Sequence, residues 1–251
     1  MSRLSSLVAL TIASWCVVLL GRADADDART DLASSAEGDA AAGRTYAGPT
    51  PVTTPAGDAS ITLRVPLYPA IAGSFAFGVT DRLEVGAGGG AAILIFDESD
   101  HPGHLTAAFA KLQVVRARRA GLAVTLSAYR RPAYMKEDPF DAAVYEPRRV
   151  IGEVGVVGSA CSDPRCVTRW SGHVHYVADV AGGAGRGVLG GASLSVGRRT
   201  RMLVDVLVGN PAGELVVGGF LGLRVARPRV SFDVGVMAPF PLPTCALTAR
   251  F

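Results

Sequence analysis

From Ile61 onward apolar and polar residues alternate with a period of two, interrupted by clusters of Gly, Pro, Asp and Arg. Successive side chains on a strand point to opposite faces, so the pattern predicts strands, and no stretch carries convincing helical spacing. Between Arg169 and Val180, Trp170, Gly172, Val174, Tyr176, Ala178 and Val180 fall on one face. Arg169, Ser171, His173, His175, Val177 and Asp179 fall on the other. Ile61, Leu63 and Val65 oppose Thr62 and Arg64 in the same way, as Phe232, Val234 and Val236 oppose Ser231 and Asp233. Twelve such segments are predicted, at about 59–68, 72–79, 83–95, 104–115, 121–130, 149–159, 167–180, 187–197, 201–209, 214–226, 229–238 and 243–251. The fold class is therefore all-β. An even number of strands suits a closed antiparallel up-and-down barrel with both ends of the chain on one side. Counts of 10 to 14 are compatible with the pattern, since strand ends read this way shift by a few residues.

The alternation does not by itself say which face is wet. A soluble barrel buries its apolar face, whereas a membrane barrel turns it to lipid and lines its interior with polar groups. The connections favour the second arrangement. Thr80-Asp81-Arg82, Arg118-Arg119, Gly197-Arg198-Arg199 and Arg227-Pro228-Arg229 are short, and they alternate with generally longer segments such as Arg131–Arg148. With the first strand running outward, every short turn falls on the periplasmic side and the long Arg131–Arg148 loop, with Tyr134, Phe140 and Tyr145, falls outside. A soluble periplasmic β-barrel is the alternative that the same strands would allow.

Two motifs then carry a resemblance. Phe77-Gly78-Val79-Thr80-Asp81-Arg82-Leu83-Glu84-Val85-Gly86 resembles the periplasmic hairpin of many bacterial outer-membrane β-barrel proteins. The ending Cys245-Ala246-Leu247-Thr248-Ala249-Arg250-Phe251 is similar to their terminal strand. The resemblance implies an outer-membrane, porin-like barrel, with Phe251 as the signal read by the barrel-assembly machinery.

Upstream of the strands, Arg3, the apolar run Leu7–Leu20 and the small residues of Ala23-Asp24-Ala25 read as a cleaved signal peptide over 1–25. The run is shorter than the ~20 residues of a membrane helix. Segment 26–58 is rich in Ala, Gly, Asp, Ser, Thr and Pro and holds six acids against two arginines. It lacks the large apolar residues of a core and reads as a flexible leader, leaving 59–251 as the barrel. Charge then narrows the partners. Charged residues are 19% of the 251, the net charge is only +3, and no single-sign block occurs, so nucleic acid is not an expected partner. The expected partners are outer-membrane lipids, the assembly machinery and small solutes or surface ligands, with the chain as a monomer. No cofactor is expected.

The predicted interior face collects Arg64, Lys111, Arg169, Arg224 and Arg250 against Glu84, Glu153, Asp179, Asp205 and Asp233. Charges in a low-dielectric lumen are stable mainly when paired, so these predict a salt-bridged, largely plugged interior; a charged constriction that selects solutes is the functional alternative. His173 and His175 share that face and are metal candidates, though no third ligand is identifiable by spacing. Asp97-Glu98-Ser99-Asp100-His101 and His104 crowd acids and imidazoles into an external loop, as a solvated loop or a cation site. The glycines from Gly86 to Gly90 lie within a strand, with no following helix or P-loop lysine, and read as permitting strand curvature or relieving interior crowding. No Gly-x-Ser-x-Gly element appears, and no catalytic residue is assigned. Cys161 and Cys166 flank Ser162-Asp163-Pro164-Arg165, a spacing suited to a disulfide across a turn in an oxidising compartment. The expected function is a narrow passive channel or a structural or surface-interaction barrel; a lipid-modifying barrel hydrolase is the runner-up.

Overall fold

The computed structural model describes residues 39–46, 48–66, 70–92, 103–131, 135–138, 141–145, 149–180, 186–210, 215–239 and 242–251. The signal segment 1–25, the Asp97–His101 cluster, Tyr134 and Phe140 lie outside them. The described residues form strands and no helix. In chain order these are β1 (Ala59–Pro66), β2 (Ala70–Thr80), β3 (Leu83–Ala92), β4 (Gly103–Arg116), β5 (Ala120–Arg131), β6 (Met135–Asp138) and β7 (Asp141–Tyr145). β8 (Arg149–Cys161), β9 (Thr168–Asp179), β10 (Arg186–Gly197), β11 (Thr200–Gly209), β12 (Val216–Val225), β13 (Val230–Ala238) and β14 (Leu242–Arg250) complete the chain.

Twelve of these strands close into one antiparallel barrel, each hydrogen-bonded to its neighbours in sequence, with β14 returning to β1. The seam runs from Pro66 opposite Thr244 to Ser60 opposite Arg250, and Phe251 continues it by exchanging backbone bonds of 2.8 and 3.0 Å with Ala59. The short β6–β7 hairpin stands outside the ladder, within the Arg131–Arg148 connection, so that β5 pairs directly with β8.

The two faces invert the arrangement of a soluble protein. Outward residues are large and apolar: Trp170 is 51% exposed and Leu126 60%, and Leu221, Phe232, Val234 and Leu247 are exposed as well. Inward residues are polar and sealed from bulk solvent, among them Arg224, Asp233, Lys111, Glu84 and Arg169. The split follows strand geometry, as β9 shows: Arg169, Ser171, His173, His175 and Val177 are buried while Trp170 and Tyr176 are exposed. Glycine on the inner face admits bulky neighbours. A β-carbon at Gly86 would overlap the Phe109 ring.

The leader departs from expectation. From Asp39 it is not a free arm: it folds back into the barrel and runs through the lumen before β1 begins. Asp39, Ala41, Tyr46, Thr50, Pro51 and Val52 are all buried. A segment of this composition would be free only if an apolar core were needed to hold it. A polar lumen instead holds small residues and backbone groups by hydrogen bonds.

Candidate functional site

The lumen segment is a tight reversal. Thr45 N–H donates to Gly48 O at 2.8 Å, Thr50 N–H donates to Gly43 O at 3.0 Å, and Arg44 bridges Pro49. Both limbs reach the end of the barrel that carries the short turns. On one, Ala40 N–H donates to Arg227 O at 2.9 Å; on the other, Thr53 Oγ1 donates to Asp81 O at 2.9 Å, and Ala56 bridges Gly78. The segment therefore enters from the short-turn end as a hairpin plug, with its reversal pointing into the barrel.

Three clusters fix the plug to the wall. At the first, Asp39 accepts from Arg201 Nη1 at 2.9 Å, Arg224 Nη1 at 3.4 Å and Ser231 Oγ at 2.6 Å. Burial alone would push the Asp39 carboxyl upward, but the Arg224 and Arg201 guanidiniums outweigh it and hold the group down at about 2. At the second, Arg44 Nη1 donates to Asp233 Oδ2 at 3.1 Å and Nη2 to Thr248 Oγ1 at 2.6 Å. Asp233 also receives Arg224 Nε and Nη2 at 2.6 and 2.9 Å, while Arg224 Nη1 donates to the Ala41 and Arg44 carbonyls, both at 3.0 Å. At the third, Glu84 Oε2 accepts from Thr54 N–H and Oγ1 at 2.6 and 2.7 Å, and Lys111 Nζ lies 3.0 Å from Glu84 Oε1 while donating to Gly43 O at 3.2 Å. Deeper in the lumen Tyr46 stacks on Phe220 at 4.0 Å, hydrogen-bonds Thr244 through its hydroxyl, and lies under the Arg64 guanidinium.

The ten interior charges read from the sequence distribute differently from a set of bridges across an open lumen. Arg224 with Asp233, and Lys111 with Glu84, are opposite partners on adjacent strands, so they pair along the wall. Arg250 reaches Asp58 at the rim, at 3.8 Å. Glu153 takes His175 Nδ1 at 2.5 Å and Ser127 Oγ at 3.1 Å rather than a lumen base. Arg64 serves the plug's tyrosine, Arg169 is buried on β9, Asp205 is buried on β11, and Asp179 is half-buried at the end of β9. What spans the lumen is the plug. Asp39, Arg44, Tyr46 and Arg201 hold the plug, and the alternation of the strands does not single them out.

His173 and His175 meet edge to face at 5.1 Å. Among the described residues no group of three or more His, Cys, Asp or Glu is arranged to hold a metal ion. His173 instead packs against the plug, where a β-carbon on Gly48 would overlap its ring. In the Ser127–Glu153–His175 chain the carboxylate, not the imidazole, lies beside the hydroxyl. Cys161 and Cys166 are joined by a disulfide across the β8–β9 turn, with Cα atoms 4.9 Å apart. Between the plug and the β1–β9 side of the wall a cavity of about 310 Å³ remains, bordered by Thr62, Arg64, Ser74, Thr125, Glu153 and His175.

No protein-family model matches the chain, and no curated protein matches it. Twelve chains of solved structures do. One is CdiB from Acinetobacter baumannii, 10% identical, with a TM-score of 0.30, covering 77% of this chain and 59% of that one. The chain thus spans less than two thirds of that protein's length. At this level of likeness the function must be argued from the residues of the lumen itself.

Proposed function

We propose that the protein is an outer-membrane β-barrel that forms a narrow passive channel, held closed by its own N-terminal segment. The membrane reading is supported by the inversion of faces: exposed apolar side chains girdle the barrel, and charged side chains fill it. The channel reading rests on size and contents. Eight strands are filled by their own side chains and sixteen leave an aqueous channel, so at twelve the contents decide. Here much of the filling is a removable segment rather than wall side chains, and a residual cavity runs beside it.

The single observation that carries the proposal is the Asp39–Pro55 hairpin inside the lumen, tied to β11–β14 by Asp39 and Arg44 and to β3–β4 by Gly43 and Thr54. Planar-bilayer recording tests it. The unmodified protein is expected to show rare, small openings, and a chain lacking residues 39–55 to show steady conductance. Large porin-like steps from the unmodified protein would refute the plug. A deletion variant that folds but conducts no better would refute the channel.

A further inference from the structure

Arginine gathers at the short-turn end of the barrel. Every one of the five turns at the short-turn end carries at least one exposed arginine. Arg82 lies in the β2–β3 turn, Arg119 in β4–β5 and Arg165 in β8–β9. The β10–β11 turn adds the pair Arg198 and Arg199, and the β12–β13 turn the pair Arg227 and Arg229. Among the described residues none of these seven guanidiniums forms a carboxylate ion pair.

The acids at this end do little to offset them. Asp163 is held below the usual carboxylate range by the backbone N–H of Thr168, then of Val167 and Arg165, with the Arg119 guanidinium a smaller contributor, so its charge is largely taken up within its own turn. Asp58 faces Arg250, and Asp81 accepts from Ala56 N–H. The arginines sit immediately beside the apolar girdle: Val225 and Val230, both exposed, flank the Arg227–Arg229 turn. Trp170 marks the same level. It projects outward two residues into β9, and its indole N–H donates to Ser162 Oγ in the turn at 3.0 Å, an apolar ring with a polar anchor as expected at a membrane–water boundary.

We propose that this arginine ring binds the phosphodiester headgroups of anionic phospholipids around the whole circumference of the barrel. The proposal rests on the membrane reading above and adds the lipid class and the rim that selects it. A ring directly beneath an apolar girdle meets headgroups on all sides, whereas a protein partner would need the charge gathered on one face. Guanidinium is suited to the task, because its planar fork pairs with two phosphate oxygens at once, and unlike lysine it does so at a fixed angle. The ring also supplies a reason for the turns to be so short: the charges stay within the headgroup layer.

The test reconstitutes the full chain into vesicles of phosphatidylcholine alone and of phosphatidylcholine with phosphatidylglycerol. Spin-labelled lipids of each class then report which one occupies the shell around the barrel. The unmodified protein is expected to favour phosphatidylglycerol over phosphatidylcholine by roughly fivefold, the effect of about one arginine near an anionic surface, and to lose the preference in high salt. The R198S/R199S/R227S/R229S variant, altered only in turns, is expected to insert as well and to show a clearly smaller preference, since Arg82, Arg119 and Arg165 remain. Equal association of both lipids with the unmodified protein would overturn the lipid assignment and give the ring to an acidic macromolecule instead. An undiminished preference in the variant would overturn the role of the ring. Failure to insert into either vesicle would instead refute the membrane reading.

Discussion

Replacing Arg44 with alanine removes the plug's own cation and leaves the wall pair intact, which makes it the cleanest perturbation of closure. Arg44 donates to Asp233 at 3.1 Å, to Thr248 at 2.6 Å and, at a longer 3.4 Å, to Thr62. Asp233 keeps both bonds from Arg224, so no buried carboxylate is stranded. A hydrogen bond involving a charged group is worth ~1.5–3 kcal/mol net. The lumen admits water once the side chain is gone, so two bonds at the low end give about 3 kcal/mol. At ~1.4 kcal/mol per decade the population with the plug out rises roughly 100-fold. The assay is chemical. In a Cys245→Ala background without reductant, a Thr50→Cys reporter sits at a position fully buried in the closed barrel, and its rate of labelling by a membrane-impermeant maleimide measures release. Arg44→Ala is expected to speed labelling by about two orders of magnitude, and Arg44→Lys by far less. Rates for Arg44→Ala within about threefold of the parent would show that the Arg44 cluster does not hold the plug.

Two further outcomes bear on the same segment. Gly48→Val places branched carbons where the His173 ring stands, so labelling of the same reporter should accelerate; His173→Ala in the same chain should restore closure, and a double variant as open as the single one would refute the contact. The Asp39 carboxyl, lowered to about 2 from its ordinary 3.8, stabilises the inserted plug above that ordinary value and ceases to do so as pH falls through about 2. Conductance should therefore be as low at pH 5 as at pH 7, and opening already at pH 5 would refute the Asp39–Arg201–Arg224 anchor.

The barrel was legible in the sequence because one physical fact governs every strand: each residue faces either the girdle or the lumen, and the next faces the other way. All twelve predicted segments correspond to the twelve barrel strands, with ends displaced by a few residues at most, as at Thr80 for β2 and Cys161 for β8. The β6–β7 hairpin was missed because it lies outside the ladder, where no shared wall imposes the alternation. The inward register of β9 was also readable, since Trp170 and Tyr176 on one face and His173 and His175 on the other leave little choice.

The plug was not legible, for a reason that lies in β11 and β12. Arg201 and Arg224 stand directly opposite each other across those strands, and like charges in that position are destabilising unless an acid comes from elsewhere. Asp39 is that acid, in contact with both. Reading this demand from the sequence requires the β11–β12 register, and six residues separate those strands, against only Arg198 and Arg199 between β10 and β11, where Gly197 takes a φ of +118°. Without the register, Arg201 is one more basic residue at a strand end, and Asp39 one more acid in a segment of small residues. Composition is also the wrong guide to a segment whose binding surface is a polar lumen. The plug is held by two carbonyls on Arg224, one on Lys111 and the side chains of Asp39, Arg44, Tyr46 and Thr54, contacts that leave no periodic trace. A leader of this kind is better sought from the wall: an inward basic pair of which the wall acid reaches only one member, as Asp233 reaches Arg224 but not Arg201, implies a carboxylate supplied from outside the barrel ladder.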